Sequence, residues 1–229
     1  MKEFIKFPHT YHLLDIHGSL DRQDKLLSAE VRDQFYSQPV VVEEKVDGAN
    51  VGFSLSEDGN IQVQNRGHFI TDSSSLQFKH LNSWIRAHQD ELFDLLYPHC
   101  ILFGEWCYAV HSIYYDQLPD WFLAFDIYDL EQKRFLCRER RHEKLKDTGI
   151  YEVPFLGKRR IEPNNVIDFL NTTQSALHNG PMEGIYLRIE DNEQLLQRAK
   201  VVRPGFIQNI DQHWSKSQLR ANKLSVRSI

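Results

Sequence analysis

The feature that most constrains the fold is the placement of short β-branched and aromatic runs around tight-turn signals. Val40-Val41-Val42 is one such run, and Asn50 to Ser56 alternates Val51, Phe53 and Leu55 with smaller residues. Glu57-Asp58-Gly59-Asn60 then signals a hairpin, with Ile61 and Val63 on the returning strand. Cys100 to Tyr108 and Trp121 to Leu130 read as two more strands. A last hairpin pairs Glu183–Ile189 with Leu195–Val202 across Asp191-Asn192. Between them, Leu81, Trp84, Ile85, His88, Leu92, Leu95 and Leu96 recur at helical steps. A charged helix is expected around Arg138 to Asp147, ended by Gly149, and another from Asn164 to Leu177. Hairpins with interspersed helices make an α+β chain, and not the βαβ alternation of a dinucleotide fold. The polar, irregular stretch 1–38 is expected to pack on a core formed by 39–229, whose tail from Pro204 reads as helical and basic.

Composition excludes several classes. A chain of 229 residues buries a sizeable core without staples. Cys100, Cys107 and Cys137 are too few and too odd for a disulfide framework, which points to a reducing, cytoplasmic setting. No apolar run approaches the roughly 20 residues that span a bilayer, and the N-terminus lacks a signal-peptide stretch, so no membrane partner is expected. With 27 Lys+Arg against 32 Asp+Glu, the net charge of -5 argues weakly against a nucleic-acid coat. Basic sets nevertheless gather in the second half: Arg138, Arg140, Arg141, Lys144 and Lys146, then Lys158, Arg159 and Arg160, then Lys216, Arg220, Lys223 and Arg227. His9, His12 and His17 read as a solvated segment and not a metal cluster, and Cys100 with Cys107 is unlike a zinc pair.

Four stretches carry chemistry. Glu43-Glu44-Lys45-Val46-Asp47-Gly48-Ala49-Asn50 puts a Lys at the end of a hydrophobic strand before a Gly-bearing turn. An isolated Lys-x-Asp-Gly is most simply a hairpin turn. The chemistry it would suit is covalent catalysis by an amine, for which Lys must be neutral. At an ordinary pKa only about one in 10³ is neutral at pH 7. Nearby cations lower that cost, and Arg198-Ala199-Lys200 supplies candidates. Leu102-Phe103-Gly104-Glu105-Trp106 embeds a carboxylate in an apolar strand, Phe122 to Tyr128 embeds Asp126 in an aromatic one, and Met182-Glu183-Gly184 opens a strand with an acid. Each alone has a bland structural reading; their order and spacing are the stronger signal.

In that order the set resembles the covalent nucleotidyltransferase superfamily of DNA ligases, RNA ligases and mRNA capping enzymes, and most closely its ATP-dependent RNA ligase family. The match runs from about Val42 to Phe206. Lys45-Val46-Asp47-Gly48 is similar to motif I, whose Lys forms the nucleotidyl adduct, and Asn50 to the RNA ligase form of that motif. Asn65-Arg66-Gly67 resembles the motif that holds ribose and phosphate. Glu105 matches the acid that binds the ribose hydroxyl, Phe125-Asp126 the aromatic that stacks on the purine, and Glu183-Gly184 the acid that serves the metal. Arg198-x-Lys200 stands where the family has Lys-x-Lys; a planar fork replaces a point ammonium there.

The resemblance implies an α+β nucleotidyltransferase fold (an ATP-grasp-like ligase core) of antiparallel sheets flanked by helices; a C-terminal oligonucleotide-binding (OB) barrel is not expected, because only 29 residues follow Lys200. It also implies ATP and Mg²⁺ or Mn²⁺ as cofactors. Lys45 would attack the α-phosphorus, with Lys200 and Arg198 neutralising charge and depressing the Lys45 pKa. Glu183 would hold the metal, Phe125 stack on adenine, Glu105 and Arg66 fix ribose, and Glu44 read the adenine edge. Asp126 would face nucleotide or metal alongside Glu105 and Glu183. AMP would pass to an RNA 5′-phosphate that a 3′-hydroxyl then displaces, steered by Asn50. The implied partner is RNA, with an end-healing enzyme or an RNA-binding subunit as further candidates. The alternatives are a DNA ligase or capping-type enzyme, disfavoured by Asn50, and a non-catalytic nucleic-acid-binding relative.

Overall fold

The structure is a computed structural model that describes residues 4–16, 25–71, 75–204 and 219–225. Helix α1 (Ala29–Ser37) leads into strand β1 (Val40–Lys45), hairpin β2–β3 (Ala49–Leu55, Ile61–Gln64) and helices α2 (Leu81–Ala87) and α3 (Gln89–Leu96). Strands β4 (Cys100–Trp106), β5 (Phe122–Asp129) and β6 (Arg134–Phe135) follow. Then come α4 (Arg138–Leu145), β7 (Tyr151–Glu152), β8 (Phe155–Arg159), α5 (Pro163–Thr172) and hairpin β9–β10 (Gly184–Glu190, Leu195–Val202).

Two sheets result. The first has the order β10-β9-β1-β8 and is antiparallel. The second has the order β3-β2-β4-β5-β6, antiparallel, with β7 added parallel to β5. Period-two alternation sorts the faces of the first sheet. Val40, Val42, Ile185, Leu187, Ile189, Ala199 and Val201 share one core with Phe35 of α1 and Val166 and Leu170 of α5. The opposite face carries Glu43 and Lys45 of β1, Tyr186 and Arg188 of β9, and Arg198 and Lys200 of β10. Helices therefore cover the apolar face and leave the charged face for the other sheet. In the second sheet Val51, Phe53, Leu102, Phe122 and Ala124 pack on Leu81 and Trp84 of α2 and Leu92, Leu95 and Leu96 of α3.

Helix boundaries differ from the periodicity. The expected single helix over Leu81–Leu96 is broken at His88 (φ -116°, ψ 24°), whose ring packs 4.5 Å from Trp84 and lies 3.5 Å from Asp120. The helix expected to reach Leu177 stops at Thr172, because the backbone N–H of Ala176 and the hydroxyl of Ser175 turn to the carboxylate of Glu44. The stretch read as irregular before Gln38 contains α1, capped by the Ser28 side chain. Residues 7–13 run beside β10, where Lys200 N–H donates to Tyr11 O (3.0 Å) and Leu13 N–H to Lys200 O (2.9 Å). His12 is therefore buried, contrary to a solvated segment; His17 lies outside the described residues. The expected helical tail falls mostly outside them too. Its described part, 219–225, is extended and bridges Ala221 to Ala109 and Leu224 to Leu118.

Candidate active site

β1 ends on the wall of a cavity of about 650 Å³ that both sheets line. Lys45 closes the strand, and both carboxylate oxygens of Glu183 lie 2.7 Å from its Nζ. The two are brought together because Lys45 pairs across the ladder with Gly184. Gly184 cannot be larger: a Cβ there would stand 2.2 Å from Val201 O. Gly48, in the turn after Lys45, faces the same limit from the second sheet, with Trp106 O 2.6 Å from a Cβ. Between them Asp47 is fixed at both ends. Its N–H donates to Tyr115 Oη (3.0 Å), and its Oδ2 accepts from the N–H (2.7 Å) and hydroxyl (2.6 Å) of Ser112.

Across the cavity, Asn50 of β2 and Glu105 of β4 are direct cross-strand partners. Asn50 Oδ1 is buried with no hydrogen-bond partner among the described residues, an acceptor open to a ligand hydroxyl or amine. Arg66 stands exposed at the rim on a turn that Asn65 shapes, its Oδ1 accepting from Gly67 N (2.8 Å) and His68 N (2.9 Å). Phe125 lines the cavity from an irregularity in β5: Asp126 pairs with Phe103 and Ala124 with Gly104, so Phe125 has no partner on β4. This β-bulge reverses the alternation, with Phe122 and Ala124 facing the helices before it and Ile127 after it. Phe7, His9 and Thr10 of the N-terminal segment complete the wall, with Tyr186 and Lys200.

Electrostatics here run against one expectation. Burial pulls the Lys45 pKa down, but Glu183, Asp47 and Glu105 together hold it above its ordinary value. The resting nucleophile candidate is an ammonium. Glu105 is pushed up to about 8, first by burial and then by Asp47 and Glu183, against the opposing pull of Lys45 and Arg66.

Three other expectations also change, those for Asp126, Arg198 and Arg141. Glu44 is not among them: it lines the same cavity as Lys45, and its carboxylate accepts from the Ser175 hydroxyl and the Ala176 N–H. Asp126 is fully buried and meets Arg188 Nη1 (2.7 Å) and Arg198 Nη1 (3.1 Å) instead of the cavity. Arg198 is spent on that pair and on the rings of Phe7 and Phe135, 4.8 and 4.1 Å away. Of the motif V pair it is Lys200 that lines the cavity. Arg141, grouped by sequence with the basic residues of its helix, is buried and bound to Glu43 and Glu152. The sequence reading also missed Tyr115, Ser112 and Asn222; buried polar residues in loops leave no periodic trace.

No group of three or more His, Cys, Asp and Glu among the described residues is arranged to hold a metal by itself. The donor set at Glu183 suits a hard cation that completes its shell with phosphate oxygens and water.

Two antiparallel sheets that meet at a carboxylate-held lysine define a nucleotidyltransferase-type fold. The RNA ligase family model matches residues 38–202, and the chain belongs to that family. Solved structures of Naegleria gruberi RNA ligase share the fold. A glutamate-to-alanine mutant with AMP and Mn superposes with a TM-score of 0.65 at 15% identity, over 91% of this chain and 59% of that one. The same ligase with PPi gives 0.62 at 19% identity, over 87% and 60%. A lysine-to-alanine mutant with ATP and Mn gives 0.64 at 15%, over 91% and 59%. This chain thus spans less than two thirds of their length. A search of curated proteins finds no match.

Proposed function

We propose that the protein is an ATP-dependent RNA ligase that works through a covalent lysyl-AMP intermediate. The observation that carries this reading is Lys45, held by Glu183 at 2.7 Å on a cavity wall that also presents Glu105, Phe125, Arg66 and Lys200. Lys45 Nζ forms a bond to the α-phosphorus of ATP, the bond to pyrophosphate breaks, and Nζ loses its proton. Glu183, with both oxygens against Nζ, is the acceptor within reach. Phe125 stacks on adenine, Glu105 and Arg66 contact the ribose and phosphates, and Lys200 offsets the phosphoryl charge. A Mg²⁺ or Mn²⁺ ion at Glu183 supplies further charge neutralisation. The AMP then passes to an RNA 5′-phosphate, and a 3′-hydroxyl, positioned by the open acceptor of Asn50, displaces it.

The test is incubation with Mg²⁺ and ATP labelled at the α-phosphate. Wild-type protein is expected to carry covalent label and Lys45→Ala none; label that survives the substitution overturns the mechanism. Sealing of matched nicked RNA, hybrid and DNA duplexes then fixes the substrate.

A further inference from the structure

Resting on that reading of the cavity, we infer that Arg141 is a positioning residue for purine binding, acting through the Phe125 bulge. A bulged residue loses its ladder partner, so its carbonyl must be satisfied elsewhere. The Phe125 carbonyl is satisfied by two guanidinium groups. Arg141 donates through Nη1, and Arg188 donates through Nη1 at 3.2 Å. Arg188 belongs to β9 and is also bound to Asp126, Glu190 and Leu136 O, so it ties the bulge to the neighbouring sheet.

Arg141 is different, because it comes from α4, outside both sheets and outside every motif stretch. Its three donor nitrogens are divided among three strands. Nη1 goes to Phe125 O of β5, Nη2 to Glu43 of β1, and Nε to Glu152 of β7 at 2.8 Å. β7 itself pairs with β5 at Leu123 and Ala124, immediately before the bulge. The side chains of Arg141 and Glu43 are both 1% exposed, so the fork has no freedom to wander. Phe125 is thus held at its backbone by a planar, three-point anchor, while its ring lines the cavity and packs 5.1 Å from Phe7. Lys cannot replace this anchor, since an ammonium on a flexible stem does not span three acceptors in one plane.

The consequence is base-specific. If the anchor sets where the ring stands, loosening it weakens ATP and leaves a ligand without a base unaffected. Calorimetric titration of the full chain with ATP and with ribose 5-triphosphate, both with Mg²⁺, reads this directly. Phe125→Ala is expected to weaken ATP about tenfold, the scale of one base–aromatic stack. Arg141→Lys should weaken ATP by a similar factor and ribose 5-triphosphate by less than about twofold. In the Phe125→Ala background, Arg141→Lys should cost less than about twofold more, because the ring it positions is gone.

Equal weakening of both ligands, or losses that multiply in the double variant, overturns the inference and leaves only a packing role. Wild-type protein that binds ribose 5-triphosphate as tightly as ATP does the same. Wild-type protein that binds neither overturns the proposed function together with the inference. Should Arg141→Lys fail to fold, Glu152→Gln loosens the Nε contact, together with the surface-facing pair of Glu152 and His142, and leaves the pair with Glu43. It should weaken ATP by about threefold and be silent without the Phe125 ring.

Discussion

Lys45 rests as an ammonium because Glu183 and Asp47, joined by Glu105 once it ionises, outweigh the burial that would strip its proton. Attack requires the neutral amine, so formation of the lysyl adduct should accelerate as pH rises on the alkaline side of neutrality. Removing one acid should move that profile: Glu105→Gln is expected to shift the rise to lower pH, in adenylylation rates measured at saturating ATP. The same acid makes a separate prediction for stability. Its folded pKa of about 8 lies above its ordinary value of 4.5, so the folded chain binds that proton more tightly than the unfolded chain. Its contribution is complete below about pH 4.5 and is lost as pH rises through about 8. The melting temperature of Glu105→Gln relative to wild type should therefore climb between those values and then level off. A flat difference would show that Glu105 keeps its ordinary pKa. That both residues are candidates for one site was legible from Lys-x-Asp-Gly and the acid in an apolar strand, and both line the cavity. Their charge states were not, because these come from Asp47, Glu183 and burial, none adjacent in sequence to Glu105.

Elements that alternate were readable, and elements fixed by long-range polar contacts were not. Hairpins β2–β3 and β9–β10 fall where turn residues and β-branched runs placed them, Gly59 supplying the positive φ (78°) of the first turn. The α5 terminus was misjudged because Glu44, over a hundred residues away, captures the Ala176 N–H that a longer helix would use. The strap 219–225 had no local signal at all. Asn222 is 3% exposed, accepts from Tyr115 N (2.8 Å) and donates to Cys107 O (2.8 Å). Through Tyr115 it reaches the Asp47 turn, whose N–H donates to the Tyr115 hydroxyl. Asn222→Ala strands these buried groups, at roughly 1–3 kcal/mol each and less than additively. A loss of about 3 kcal/mol is expected in denaturant titration. Tyr115→Phe keeps the ring in the core and removes only one acceptor, so it should cost about 1 kcal/mol while slowing adenylylation through the Asp47 turn. A Tyr115→Phe protein with undiminished adenylylation would separate the loop from the chemistry.

For the whole molecule, the net charge of -5 says little about where charge is available. Much of the basic helix α4 is neutralised within the chain: Lys146 meets Glu143 at 2.7 Å, Arg140 meets Glu193, and Arg141 is buried against Glu43. Lys158, Arg159 and Arg160 stay exposed at the outer strand β8. A second concentration of charge faces inward, on a cavity whose two walls belong to different sheets joined by the short link from Lys45 to Ala49. A ligand that touches Lys45 and Lys200 on one wall and Glu105 and Phe125 on the other would couple the two sheets. Unfolding of either sheet would then release it. Such a ligand stabilises by about 2.7 kcal/mol at a hundred times its dissociation constant. For a chain of this size that corresponds to a rise in melting temperature of roughly 5–10 °C. Thermal scans of Lys45→Ala, which cannot form the adduct, should show this rise with ATP and Mg²⁺. Ribose 5-triphosphate should give a smaller one, lacking the base that reaches Phe125. A rise confined to wild type would mean that the covalent adduct, and not binding across the cavity, joins the two sheets.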